Sequence, residues 1–417
     1  MTTPSVASCP TTDAALAHRV RATTVTVRNA DGTPAADTVV AVEQVRHAFG
    51  LGNIGFDFVG LDRPELDRSA LAVQWLDVYN TATLPFYWGD FEPSEGAPGT
   101  EPLMDTARWF AEHGVRVKGH PLVWHTLAPA WLRERSVAEV ETAVRRRIER
   151  DVSAFAGVVD DWDVINEVVI MPVFDNEAAL EGAVGPNAIT RLCRERGRIA
   201  TVRLAFEEAR AANPAATLLI NDFDLSTAYE CLIEGLLEAG IGIDAIGLQS
   251  HMHQGYWGEE RTHAINERFA RYGLPLHWTE TTLLSGDLMP PEIDDLNDYQ
   301  PAVWPSTPEG EERQADEILR HYRTLASHPA VDAVTYWGLT DDGMWLGAPG
   351  GLVRADGSPK PAYDALRRLV KEDWWVAPAQ VRTDADGRLT VRGWAGDYRV
   401  GDATVTLAGG DAEVRLR

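Results

Sequence analysis

The feature that most constrains this chain is a repeated alternation. A short apolar run ends in polar or aromatic residues and is followed by a stretch with helical spacing. The runs VKGHPLVW, DWDVINE, TLLINDFD, AIGLQSH, LPLHWTE and AVTYWGL succeed one another in this way. Strands that alternate with helices form parallel sheets. The helices are legible as well. Ser136, with Glu139 three residues on, makes a capping box ahead of Val137, Val140, Val144, Ile148 and Val152. Ile199, Val202, Phe206 and Ala209 mark one face of a second helix. A barrel of eight such units takes about 250 residues or more. The 417 residues therefore allow one barrel and a smaller unit. The expected class is α/β, a (β/α)8 barrel over residues 46–370.

The two ends of the chain read differently. Residues 23–28 (TTVTVR) and 38–44 (TVVAVEQ) alternate as strands do, with Asp31-Gly32 between them as a hairpin signal. LTVRGW (389–394), ATVTLA (403–408) and AEVRLR (412–416) repeat the style near the other end. Two strands alone are marginal, but five can close a small sandwich. Residues 15–45 and 376–417 are expected to join into one small accessory β-sandwich-like domain.

Charge and composition narrow the partners. A net charge of −25 argues against nucleic acid or an anionic membrane, both of which repel an acidic surface. The first residues hold no basic segment followed by an apolar run, and no stretch is apolar for the roughly 20 residues that span a bilayer. A cytoplasmic location is the expectation. Three widely spaced cysteines, Cys9, Cys193 and Cys231, suggest neither a disulfide framework nor a zinc site. The oligomeric state is not legible.

Catalytic groups of α/β barrels sit at the C-terminal ends of the strands, where these polar endings cluster. Glu167 ends DDWDVINE and Glu280 ends LPLHWTE, each just past a buried strand. Hydrolysis of a glycoside needs one carboxylic acid to protonate the leaving oxygen and one carboxylate to attack the sugar or activate water. Around them stand residue types that hold sugars: His120, Trp124 and His125, then Asn166, Gln249 and His251, then Trp337 and Trp345. Amides and imidazoles hold hydroxyls, and indoles pack on the C–H faces of pyranose rings. His251 and His253 lack a third ligand at suitable spacing, so no metal is expected, and no cofactor.

With these motifs in place, the sequence resembles glycoside hydrolase family 10, the (β/α)8 family best known for endo-β-1,4-xylanases. The resemblance runs from about His47 to Leu369 through GHPLVWH, WDVINE, LLINDFD, GIGLQSHMH, HWTE and GLVRADGSPKPAY. It implies Glu167 as general acid/base and Glu280 as nucleophile. It implies that Asn166 binds the sugar 2-hydroxyl, that His120 holds the sugar, that Gln249 and His251 orient Glu280, and that Trp124, Trp337 and Trp345 wall the subsite. Retention of configuration requires the two carboxyl groups about 5–5.5 Å apart.

Departures from the family pattern sharpen the expectation. In TATLPFYWGDFEPSEG, Trp88, Glu92 and Pro93 are kept, but Leu84 and Tyr87 stand where the family usually has Asn and Lys. Tyr87 and Trp88 then form an aromatic wall on the substrate where the family hydrogen-bonds a second sugar. Thr282 stands where the family usually has an Asp that supports the residue corresponding to His251. The segment after Glu280 is a long connection of the kind that serves as a lid. Its Tyr299 and Trp304, with Tyr256 and Trp257 of the preceding loop, offer further aromatic surface. The expected function is a retaining β-glycosidase acting on small soluble glycosides or oligosaccharides containing xylose or glucose, including disaccharide conjugates of plant metabolites. The alternatives are an endo-β-1,4-xylanase on xylan chains and a non-catalytic carbohydrate-binding protein.

Overall fold

The structure is a computed structural model that describes residues 6–10, 13–174 and 187–416. Eight parallel strands close into a barrel: β1 (Gly50–Ile54), β2 (Thr81–Pro85), β3 (Arg116–His120), β4 (Val159–Asn166), β5 (Thr217–Asp222), β6 (Ala245–Met252), β7 (Leu276–Leu283) and β8 (Val331–Tyr336). Each strand is hydrogen-bonded to the next in sequence, and β8 returns to β1. The expected (β/α)8 class is the observed one. The helix Val137–Phe155 opens with the anticipated capping box and buries Val140, Val144, Ile148 and Val152. In the helix Arg198–Ala212, Val202, Phe206 and Ala209 are buried, but Ile199 is 41% exposed and does not belong to that face.

Two of the barrel strands carry an extra residue. In β4 the pairing with β5 skips from Asp163 to Ile165, and in β7 the pairing with β6 skips from Trp278 to Glu280. Such bulges re-aim the side chains beyond them. The extra residue of β7, Thr279, directly precedes Glu280, and that of β4, Val164, lies three residues before Glu167.

Both ends of the chain form two four-stranded sheets. One has the order Val6–Ser8, Arg388–Trp394, Val20–Arg28, Gly410–Arg415; the other has Ala379–Arg382, Val39–His47, Gly396–Val400, Ala403–Leu407. The hairpin expected around Asp31-Gly32 does not form. The turn is present, with Gly32 at φ 86°, but Val20–Arg28 and Val39–His47 belong to opposite sheets. Val25 and Val27 of the one, and Val40 and Val42 of the other, are fully or almost fully buried. Crossing to the facing sheet lets both apolar faces share one interior, which pairing side by side would leave open.

These sheets attach to the floor of the barrel, away from the strand C-termini. Arg19 donates to the carbonyls of Ala326, His328 and Val331, just where β8 begins. Trp394 stacks on Trp374 with ring centroids 4.4 Å apart and meets Phe49, next to β1, edge-on. Among the described residues no helix is long and apolar enough to cross a membrane.

At the other end, Arg147 ties the mouth together. Its fully buried guanidinium donates to the carbonyls of Phe86, Pro121 and Leu122, just past β2 and β3, and pairs with Asp151. Removing it strands three buried carbonyls. Arg147→Leu is expected to lower unfolding free energy by about 3 kcal/mol, read as a fall in the denaturation midpoint.

Candidate active site

The strand ends bring Glu167 and Glu280 to one mouth. Glu280 is the fifth residue of β7, registered against Gln249 of β6, and Thr282 is registered against His251. Glu167 directly follows β4. It sits at φ 56°, a left-handed conformation uncommon for a residue with a side chain, and its N–H donates to the Asn221 carbonyl at 2.8 Å. Such strain persists where the surroundings over-determine it.

Three amides join the carboxylates. Asn221 Nδ2 donates to Glu280 Oε1 at 2.7 Å and to Asn166 Oδ1 at 2.9 Å. Gln249 Nε2 donates to Asn166 Oδ1 at 3.1 Å and to Glu167 Oε1 at 3.3 Å, and Asn166 Nδ2 donates to Glu167 Oε1 at 3.1 Å. Thr279, the extra residue of the β7 bulge, donates to Asn221 Oδ1 at 2.5 Å and fixes the orientation of that amide.

The two carboxylates differ in what else they meet. Glu280 is 4% exposed; its Oε2 lies 3.1 Å from His251 Nε2, and its Oε1 lies 3.9 Å from His120 Nε2. Burial alone pushes its carboxyl up, but the imidazoles of His120 and His251 outweigh this and hold it below the usual carboxylate range. His120 is oriented by Asp163, 2.7 Å from its Nδ1, and Asp163 also pairs with the buried ammonium of Lys118 at 2.7 Å. Among the described residues no Lys or Arg is paired with Glu167. Trp124 Nε1 donates to its Oε2 at 2.7 Å, and His125, 3.7 Å away, is kept neutral because burial depresses its pKa to about 3. Burial, then the charge of Glu280, push Glu167 up to about 8. One carboxyl is thereby protonated near neutral pH while the other is ionised.

The aromatic residues divide into those at the site and those elsewhere. Trp337 meets His120 edge-on at 5.1 Å, Trp345 covers His251 at 4.9 Å and is 36% exposed, and Tyr87 lies 5.7 Å from His120 and 5.5 Å from Trp124. Trp88 is not among them. It is buried, donates from Nε1 to Glu92 at 2.9 Å and lies under the guanidinium of Arg147, so it supports the wall instead of forming its surface. Gln249 also differs from expectation: it serves Asn166 and Glu167 in place of Glu280, because the β7 bulge turns Glu280 toward Asn221. Tyr256 and Trp257 pack outside the mouth, against His321 and Trp278. Tyr299 and Trp304 pack on each other within a small separate core of the loop after β7, built on Leu284, Met289 and Ala348.

Asn221, Asp163 and Lys118 escaped the reading of the sequence. Asn221 is the last residue but one of β5, within LLINDFD, and the rule that singled out Glu167, a polar residue closing an apolar run, applies to it equally. Lys118 and His120 share the inward face of β3 by simple alternation. Asp222, next to Asn221, is buried and pushed up to about 7, chiefly by that burial.

A cluster of His263, Glu267 and His328 lies near the barrel floor. His328 Nε2 is 3.2 Å from Glu267 Oε1 while its Nδ1 accepts from the Ala330 N–H. The proton on Nε2 therefore faces the carboxylate, and the group is a hydrogen-bonded pair with a neighbouring histidine.

A barrel with an ionised and a protonated carboxyl joined across its mouth by amides is the frame of a glycoside hydrolase. The model of Glycosyl hydrolase family 10 matches residues 86–369, and the chain belongs to that family. The chain is similar to Endo-1,4-beta-xylanase B of Thermotoga neapolitana, 29% identical over 301 residues, covering 68% of this chain and 78% of that protein. It is similar to Anti-sigma-I factor RsgI6 of Acetivibrio thermocellus, 24% identical over 399 residues; that match covers 94% of this chain and 45% of the relative. The solved structure of a family 10 protein from Paenibacillus barcinonensis superposes with a TM-score of 0.62 at 25% identity, over 78% of this chain and 96% of that one. The protein is accordingly an enzyme, a hydrolase of β-glycosides that acts with retention.

The state of Glu167 is directly measurable. With its carboxyl carbon labelled, NMR is expected to show protonation up to about pH 8. In Trp124→Phe, loss of the indole donor removes a contact that favours the anion, and the midpoint moves to higher pH.

Proposed function

We propose that Glu280 is the nucleophile and Glu167 the general acid/base, and that the substrates are small soluble glycosides or short oligosaccharides instead of a polymer. In the first step Glu280 bonds to the anomeric carbon as the glycosidic C–O bond breaks, and the proton of Glu167 goes to the leaving oxygen. In the second, Glu167 takes a proton from water, the water oxygen bonds to the same carbon, and the ester to Glu280 breaks. The opposite pKa shifts suit these roles. His120 and Asn166 are suited to hold the sugar, and Trp124, Trp337, Trp345 and Tyr87 to wall it.

The observation that carries the substrate reading is Tyr87. Its ring lies within 5.5–5.8 Å of Trp124, His120 and Phe56. Burial, then the negative charges of Glu280 and Glu167, hold its phenol protonated, its pKa well above the ordinary value. An aromatic ring at this position supplies no ammonium for a further sugar on the non-reducing side, and Leu84, buried in the core, supplies no amide. The names of the relatives favour a second reading, an endo-xylanase on xylan chains. We treat residues 46–370 as the catalytic unit and the two terminal sheets as an accessory one.

Cleavage of aryl β-xylosides, aryl β-glucosides and disaccharide glycosides is expected to exceed release of reducing sugar from xylan, and strong depolymerisation of xylan overturns the small-substrate reading. NMR of the first-formed anomer is expected to show the β form. Glu280→Gln is expected to lose about a thousandfold or more in kcat on every glycoside. The kcat/KM of the parent falls as pH rises through about 8, where Glu167 loses its proton. Replacing Leu84 by Asn together with Tyr87 by Lys is expected to raise the preference for chains over aryl xylosides about tenfold.

A further inference from the structure

His251 touches two partners of different kinds. Its Nε2 is 3.1 Å from Glu280 Oε2, and its Nδ1 is 3.0 Å from the hydroxyl of Thr282. Glu280, held ionised, only accepts. A threonine hydroxyl both donates and accepts. When His251 is neutral, Thr282 donates to Nδ1 and the proton on Nε2 serves Glu280. When His251 is cationic, the same hydroxyl rotates and accepts from Nδ1. Both hydrogen bonds survive either state. A carboxylate in place of the hydroxyl accepts only, so both bonds then require the imidazolium.

Among the described residues the other groups around His251 are these. Just past its own strand His253 is fully buried and neutral, pushed down to about 3 by burial and then by His251 itself. Gln249 is uncharged. Trp337 and Trp345 present rings to it from beyond β8. From β7 the one charge is Glu280, behind which stand His120 of β3 with Asp163 and Lys118. Glu167 is linked to Glu280 through Asn221 and Asn166. The Thr282 methyl is turned toward Gly350, where an added β-carbon would come 2.9 Å from it, so the hydroxyl is the part left for His251.

We propose that Thr282 is a positioning residue that lets His251 exchange its second proton without releasing Glu280, so that the charge beside the nucleophile changes with pH while its geometry does not. This rests on the assignment of Glu280 as nucleophile for its catalytic consequence, but not for the state of the imidazole. Below the transition the imidazolium stabilises the carboxylate and weakens it as a nucleophile. Above it the neutral donor leaves the carboxylate more reactive.

The test reads the imidazole and the rate separately. In 15N-histidine-labelled protein, His251 is expected to titrate and, when neutral, to carry its proton on Nε2. In Thr282→Asp it is expected to stay cationic to a pH at least one unit higher. In rate, Thr282→Asp moves the acid limb of kcat/KM to higher pH by about one unit and lowers kcat near neutrality about threefold. Thr282→Val lowers kcat about tenfold with KM within twofold, and Thr282→Ser restores it. A neutral His251 protonated on Nδ1, an unchanged titration in Thr282→Asp, or a Thr282→Val enzyme equal to the parent overturns the proposal. Should Thr282→Asp not fold, the parent's tautomer and the Val and Ser pair still decide it. Absence of activity in the parent, with the expected NMR titration, would remove the assignment of Glu280 and leave that of Thr282.

Discussion

Asn221 touches both halves of the active site through one amide nitrogen, which donates to Glu280 on β7 and to Asn166 beside Glu167. That amide is itself pinned by Thr279, the residue that the β7 strand carries in excess. A carboxylate with a fixed donor cannot turn away, and a buried amide with a fixed acceptor cannot flip. Part of the upward shift of Glu167 rests on this fixed separation, because after burial it is the charge of Glu280 that pushes its carboxyl up.

The asymmetry around that link explains why the carboxyls are not interchangeable. Glu280 faces two imidazoles, one of them backed by the Asp163–Lys118 pair, so a negative charge is at home there. Glu167 faces an indole, two amides and a histidine too buried to be charged. Among the described residues it receives hydrogen bonds without a paired Lys or Arg. Direct pairing, burial and like-charge repulsion each shift a carboxyl, and here they are apportioned strand by strand around one opening.

The barrel was legible because its signal is long and repeated: apolar runs, polar endings and a capping box that is found where Ser136 and Glu139 placed it. Glu167 and Glu280 drew notice because each closes an apolar run, and the structure joins them through Asn166 and Asn221. Pairing partners were less so. Asp31-Gly32 does make a turn, yet the strands it joins lie in opposing sheets, and nothing local distinguishes a hairpin from a crossover. The single-residue bulges at Val164 and Thr279 are equally silent in sequence, and they decide that Asn221, not Gln249, holds Glu280. Trp88 was misplaced for a related reason. Its indole belongs to the Glu92 and Arg147 network behind the wall, and residue type alone does not tell the two sides of a wall apart.

The terminal sheets carry an implication for the order of assembly. Among the described residues, the strand partners of Val20–Arg28 are Arg388–Trp394 and Gly410–Arg415, and those of Val39–His47 are Ala379–Arg382 and Gly396–Val400. A ribosome therefore releases these first strands hundreds of residues before any of their neighbours exists. Such long loops close slowly, and the waiting edges are open to other chains. All eight barrel strands have been synthesised before the last strands of the clasp beneath it.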